Sequence, residues 1–307
     1  MPAVPWLAAA DVEGRLDWLA VAEAIAAGHG GPRAQTGDLF LTRGADTLQV
    51  RAAWVEGLGA AVKSFTVLAG NPARGLPSVQ GALVLYDAAT GAVEAVIDSA
   101  LVTRWKTAAD SLLGARLLAR PDARRLLILG AGEVAASLVE AYRAGFPGIE
   151  VTLWNRTSAR AEALAATTGA TVADDIATAV AAADIVAAAT MTREPVLHGD
   201  WLSPGQHLDL IGAYRADMRE ADDAALTRSR IFVDSFETTL DHIGELKDPL
   251  ARGVIARDHV LGDLNDLVAG RVGRNGPEDI TLFKNGGGAH LDLLTGREIL
   301  AAWQGRG

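Results

Sequence analysis

The stretch from Leu126 to Gly145, LLILGAGEVAASLVEAYRAG, constrains this chain more than any other. An apolar run, a tight glycine turn and a proline-free helical pattern make a strand–turn–helix unit. Gly130, Gly132 and Ala135 form G-x-G-x-x-A within it. The first glycine permits the turn, the second lets a pyrophosphate approach the backbone, and the alanine lets the helix pack on the strand. The first helical residues, Glu133 and Val134, then offer unpaired N–H groups and the positive end of the helix dipole to a phosphate. The motif alone is weak, and a purely structural glycine turn is the alternative. Its placement between strand and helix points to a dinucleotide.

The surroundings extend the pattern. From Leu126 onward RLLILG, EVTLWN, DIVAAAT, HLDLIGA and RIFVDS alternate with alanine-rich helical segments, which predicts an α/β fold with a Rossmann-type doubly wound parallel sheet. Before Leu101 the texture differs. One amphipathic helix is predicted over Asp11 to Gly28, followed by DLFLT, TLQVRAAW, AAVKSFTVL, GALVLYD and VEAVIDS with turn signals between them, a smaller and largely antiparallel α+β unit. The closing LDLLTGREILAAW is a helix that can pack back on that first unit. With 307 residues, half of them apolar, the chain can bury about three quarters of its unfolded surface, enough for two cores.

Composition narrows the class. There is no cysteine, so disulfides, thiolate metal sites and a cysteine nucleophile are excluded. The net charge of −10 argues against nucleic acid and anionic membranes as partners, and an anionic ligand then needs a local basic pocket. No apolar run approaches the about eighteen residues of a membrane span, and the N-terminus lacks a signal-peptide pattern, so a cytoplasmic location is expected. The six histidines show no metal-ligand spacing, and no metal is expected.

The second strand of the dinucleotide unit ends LWNRTSARAEAL, where an NAD-preferring site would usually place Asp or Glu. Asn155, Arg156 and Thr157 stand there instead. Arg156 can face a 2′-phosphate, which predicts NADPH over NADH; a solvated surface arginine is the alternative. Thr190, at the carboxyl end of DIVAAAT, and Gly212, at the end of HLDLIGA, complete the expected cofactor contacts.

Nearly the whole chain resembles the ornithine cyclodeaminase and mu-crystallin family. AAVKSFTVLAGNPARGLPSVQGALVLYDAATGAVEAVID, TAADSLLGARLLARPDARRLLILGAGEVA, GDWLSPGQHLDLIGA, RIFVDSFETTLDHIGEL and ITLFKNGGGAHLDLL carry the resemblance. It implies a homodimer whose subunits hold a substrate-binding and dimerisation domain (residues 1–115 with 292–307) and an inserted NAD(P)-binding domain (116–291). It offers several activities: cyclodeaminases that recycle NAD, alanine-type dehydrogenases, ketimine reductases that consume NAD(P)H, and non-catalytic NADPH-binding proteins of the mu-crystallin type. Fold does not choose among them.

Lys63 interrupts the apolar strand AAVKSF, which is costly unless the charge is paired, at a cleft or on an exposed edge. The resemblance makes it the catalytic residue, serving proton transfer at the reacting carbon. The resemblance also assigns Arg33 to the substrate carboxylate and implies an arginine before TAA, where this chain has Lys106; lysine keeps the charge and loses the bidentate fork. Arg51 and Arg104 are near enough to share that work, or are surface charges. KNGGGA resembles the family segment passing near the nicotinamide, which implies that one of His290 and Asp292 beside it lines the site.

One departure from the family selects a reaction. Cyclodeaminases and the related alanine dehydrogenases carry Asp after the glycine pair closing the strand that matches HLDLIGA; here Gly212 and Ala213 precede Tyr214. The reductive half-reaction survives that loss. The expected activity is therefore NADPH-dependent reduction of a small cyclic imine carboxylate, Δ1-pyrroline-2-carboxylate or Δ1-piperideine-2-carboxylate, to L-proline or L-pipecolate. Asp217 or Tyr214 is a possible substitute for the missing acid, and Asp217 in that role would revive the cyclodeaminase reading.

Overall fold

The computed structural model describes residues 3–12 and 14–305. Met1, Pro2, Glu13, Arg306 and Gly307, which fall within the domain ranges expected above, lie outside the described residues. In chain order the elements are β1 (Trp6–Leu7), α1 (Ala9–Val12), α2 (Trp18–His29), β2 (Gln35–Arg43), β3 (Asp46–Val55), β4 (Gly59–Val67), β5 (Val79–Tyr86), β6 (Val93–Asp98) and α3 (Ser99–Leu118). Then follow β7 (Arg125–Leu129), α4 (Glu133–Gly145), β8 (Glu150–Trp154), α5 (Ser158–Thr168), β9 (Thr171–Val172), α6 (Ile176–Ala182), β10 (Ile185–Ala188) and β11 (His207–Leu210). The remainder are α7 (Asp223–Thr227), β12 (Arg230–Val233), α8 (Phe236–Thr239), α9 (Gly244–Ala251), β13 (Val260–Gly262), α10 (Leu264–Val268), β14 (Thr281–Lys284) and α11 (Ala289–Trp303). The chain divides into two compact units, Met1–Lys106 with Gly288–Gly307, and Thr107–Gly287.

The first unit is a six-stranded sheet in the order β1-β6-β5-β4-β3-β2, antiparallel except where β1 joins β6. Successive strand side chains point to opposite faces. Ala53, Val55, Ala61, Leu83 and Leu85 share one face, and α11 covers it with Leu293, Ile299 and Leu300. Each such leucine or isoleucine, fully buried, contributes about 1.5–3 kcal/mol. Lys63 is in phase with Ala61, so the strand's own period points an ammonium inward. The opposite face carries Leu39, Leu41, Leu48, Val50, Val62 and Trp54, exposed or half-buried, with Trp54 66% exposed.

The single helix expected over Asp11 to Gly28 is two. Gly14 turns the chain at φ +74°, and Asp17 caps α2 by accepting from the Leu19 and Ala20 N–H groups. That cap satisfies donors a continuous helix would have paired internally, so α2 starts there.

The second unit is an eight-stranded, wholly parallel sheet in the order β13-β12-β14-β11-β10-β7-β8-β9. Strand order reverses at β7, with β8 and β9 to one side and β10 onward to the other. The crevice beyond the carboxyl ends at such a reversal is where doubly wound sheets bind ligands. All five strands anticipated here form, and β9, β13 and β14 join them. Among the described residues no helix is long and apolar enough to cross a membrane.

Candidate functional site

In the first unit the lysines meet one carboxylate. Lys63 Nζ donates to Asp292 Oδ1 at 2.8 Å and to Thr103 Oγ1 at 3.2 Å, and Lys106 Nζ lies 3.4 Å from the same Asp292 oxygen. All three charged side chains are buried. They come from β4, α3 and the first turn of α11, where a carboxylate also suits the helix dipole. Arg51 stands directly opposite Lys63 in the β3–β4 register and is tied by Nε and Nη2 to both oxygens of Asp38.

Burial pulls the Lys63 ammonium down to about 8; Asp292 resists this, and the Lys106 and Arg51 charges add to it. For Asp292, burial works upward, but Lys106, Lys63 and Arg51 prevail and hold the carboxyl at about 2. Lys63 and Lys106 thus share the single Asp292 carboxylate, two ammoniums on one anion, an arrangement that suits a carboxylate ligand. His290 is half-buried and meets His29 edge-on at 5.1 Å; burial, then His29, lowers it to about 3, so it is neutral near pH 7. Arg33 is exposed on the connection between α2 and β2, and Arg104 is on the exposed side of α3.

The second unit supplies a cradle at the carboxyl end of β7. Gly130 adopts φ +120°, and a Cβ there would meet the Ala189 carbonyl oxygen at 2.6 Å, so only glycine fits. Gly132 caps α4 without a side-chain hydrogen bond, and a Cβ on it would have no atom within 4 Å. Backbone donors thus face open space, as a pyrophosphate requires. Glu133 is exposed and Val134 half-buried in the first turn, with Ala135 buried behind them.

At the end of β8 the Asn155 side-chain amide donates to the Thr157 carbonyl at 2.9 Å. Thr157 leaves the start of α5 without a side-chain cap, and Arg156 beside it is exposed and makes no ion pair among the described residues. Nothing in this set repels a phosphate, so the residues fit a dinucleotide. Among the described residues no three His, Cys, Asp or Glu side chains gather as a metal site.

Behind the cradle lies a buried acid that sequence reasoning missed. Glu220 Oε1 accepts from the Thr190 N–H and hydroxyl, both at 2.7 Å, and Oε2 from the Gly212 and Ala213 N–H groups at 2.5 and 3.1 Å. One carboxylate therefore ties the ends of β10 and β11 together. Burial lifts it to about 7, Lys284 opposing and Glu245 adding to the rise. Lys284 Nζ donates to the Leu210 and Asn285 carbonyls, and Asp234 accepts from Gly286 and Gly287 N–H. Lys284, a charge inside the apolar ITLFKN, carried the same signal as Lys63; Glu220, in a run of charged residues, carried none. Tyr214 is exposed, and Asp217 is exposed between Arg193 and Arg215, each 3.0 Å away.

The second unit has the doubly wound sheet and glycine cradle of a dinucleotide-binding protein, and the first unit has buried lysines on a carboxylate, a class of architecture found in dinucleotide-dependent enzymes. The chain matches the ornithine cyclodeaminase/mu-crystallin family model over residues 37–306 and belongs to that family. It is 53% identical over 98% of its length to a Δ1-pyrroline-2-carboxylate reductase of Paracoccus denitrificans, covering 97% of that protein. The structure of the Thermococcus litoralis Δ1-pyrroline-2-carboxylate reductase, in complex with NADH and L-proline, superposes with a TM-score of 0.89 at 27% identity, covering 97% of each chain. An archaeal alanine dehydrogenase dimer with bound NAD gives 0.90 at 26% identity, covering 99% of this chain and 97% of the other.

Proposed function

We propose that this protein reduces Δ1-pyrroline-2-carboxylate to L-proline, with the six-membered Δ1-piperideine-2-carboxylate as a second substrate, and that it uses NADPH. The broader class, an NAD(P)H-dependent oxidoreductase acting on a carbon–nitrogen bond, is that of the Paracoccus relative, which matches almost the whole chain. The observation that carries the reading is the buried Lys63, which shares the Asp292 carboxylate with Lys106 and whose ammonium burial pulls down to about 8.

When bound, the reduced cofactor supplies a hydride to C2 of the imine. Gly130, Gly132, Glu133, Val134 and Asn155 to Thr157 would hold its phosphates and ribose, with Thr190 and Gly212 nearer the reacting ring. Lys106, with Arg51 and Arg33, takes the substrate carboxylate; Lys63 delivers a proton to the ring nitrogen, a role in which a donor near the working pH is worth about 10²–10⁴-fold. Asp217 is held by two arginines at the surface, which favours the reductase reading over one in which it serves as a cyclodeaminase's acid. The apolar face of the first unit's sheet, around Leu39, Leu41 and Trp54, supports a homodimer.

The test follows NADPH and NADH oxidation with both cyclic imines and, separately, ammonia release from ornithine and lysine with NAD. Imine-dependent NADPH oxidation is expected; ammonia release without it would reverse the assignment. Arg156→Ala is expected to weaken NADPH about ten- to hundredfold, one charged hydrogen bond, while leaving NADH unchanged. Equal affinity of the parent protein for both cofactors in a fluorescence titration would refute the NADPH preference.

A further inference from the structure

Asp292 has one oxygen that no described residue uses. Oδ1 accepts from Lys63 and lies beside Lys106, but Oδ2 is buried and, among the described residues, accepts no hydrogen bond. Interior acceptors are seldom left in this state, and a charged one least of all. The charged and titratable groups around it are Lys63 from β4, Lys106 from α3, Arg51 from β3 and the neutral His290 from its own helix. Among the described residues none of them donates to Oδ2, which leaves the oxygen open to a donor on a water or a ligand.

Resting on the reading above, we propose that Asp292 Oδ2 accepts the N–H of the substrate's ring nitrogen, making Asp292 a catalytic residue and the carboxylate this chain lacks after Gly212 and Ala213. An imine carboxylate arrives with one negative charge, opposite in sign to the two ammoniums that share Asp292. A Lys63 Nζ–H bond then breaks and a ring N–H bond forms, so a positive charge moves from Nζ to the ring nitrogen. The anion that stabilised it on Oδ1 meets it again on Oδ2. As C2 is reduced, the C=N π pair becomes the nitrogen lone pair; NADPH is oxidised to NADP⁺ and Lys63 regains a proton from solvent. Asp292 takes no proton at any stage, because its neighbours keep it ionised. This arrangement favours the protonated imine over the neutral one, as a catalytic carboxylate must.

Two ligands that differ only in the donor isolate the contact: L-proline, whose ring nitrogen carries N–H, and cyclopentanecarboxylate, with the same ring size and carboxylate and no nitrogen. Calorimetry with the oxidised cofactor bound is expected to show the parent protein preferring proline by about tenfold or more, the worth of a charged hydrogen bond. In Asp292→Asn that ratio falls toward one and imine turnover falls at least about a hundredfold, while cofactor affinity stays as it was. A purely structural aspartate would weaken both ligands alike and leave the ratio standing, which would overturn the proposal. So would a parent protein that does not distinguish the two, the result expected if water satisfies Oδ2. Should Asp292→Asn fail to fold, the double variant Asp292→Asn with Lys106→Met removes a buried cation together with the anion. Both ligands then lose the same carboxylate anchor, and the ratio remains the readout. Absence of imine-dependent NADPH oxidation in the parent protein counts against the proposed function; normal parental turnover with discrimination intact in the variant counts against Asp292 alone.

Discussion

At the scale of single residues the proposed chemistry turns on Lys63. Desolvation brings its ammonium down to about 8 while Asp292 limits the fall. As the acid of the reaction it must be protonated, so the rate constant kcat/KM is expected to be level below that value and to fall about tenfold per pH unit above it. Lys63→Met, which keeps the apolar stem and removes the proton, should lower kcat by about 10²–10⁴-fold and abolish the alkaline limb. A variant that retains the parental pH profile would release Lys63 from this role. The stability consequence runs the other way. The folded pKa lies below the unfolded value, so the unfolded chain binds more protons between about 8 and 10.5, and the Lys63 penalty on folding lessens as pH rises through that window.

At the scale of elements, the turn between β7 and α4 separates folding from binding in two neighbouring glycines. Gly130 is required by the protein itself, through its positive φ and the Ala189 carbonyl. Gly130→Ala is expected to lower Tm and loosen the second unit. Gly132 has an ordinary φ of −99° and open space around it, so Gly132→Ala should leave Tm nearly unchanged. Its methyl group enters the volume assigned to the pyrophosphate. Overpacking there costs about 1–3 kcal/mol, or about ten- to hundredfold in cofactor affinity. Equal cofactor affinity in Gly132→Ala and parent would place the dinucleotide elsewhere. The G-x-G-x-x-A spacing marked both positions, but their different duties are visible only once Ala189 has been brought beside one of them.

At the scale of the whole molecule, the first unit's sheet is covered by helices on one face and carries Leu39, Leu41, Leu48 and Trp54 on the other. A surface of that composition supports the proposed homodimer, and a stable interface needs about 800 Å² from each partner. Changing Leu39 and Leu41 together to Asp is expected to convert a dimer to a monomer in sedimentation velocity without unfolding either unit, because both side chains are already half-exposed. A parent protein that sediments as a monomer would remove the homodimer.

Local pattern was enough to read five strands of each sheet, the glycine turn, and Lys63 as a charge out of place, because strand period, turn chemistry and the cost of an interrupted apolar run act over a few neighbouring residues. The same rules ran α1 and α2 together, since the Asp17 cap competes with helix continuation on a margin of about 1 kcal/mol. β14 is not among the strands read from local pattern; Lys284 ends its apolar run, and that charge is held by the Leu210 and Asn285 carbonyls and by the Asp209, Glu220, Asp234 and Glu245 carboxylates nearby. What the site does with its charges was decided by the tertiary fold. Asp292 reaches Lys63 across 229 residues of chain, and Glu220 gathers Thr190 and Gly212 from two different strands. No periodicity encodes such meetings; the burial that brings the groups together also removes the water that would have solvated them, and that is what lowers the Lys63 ammonium to about 8.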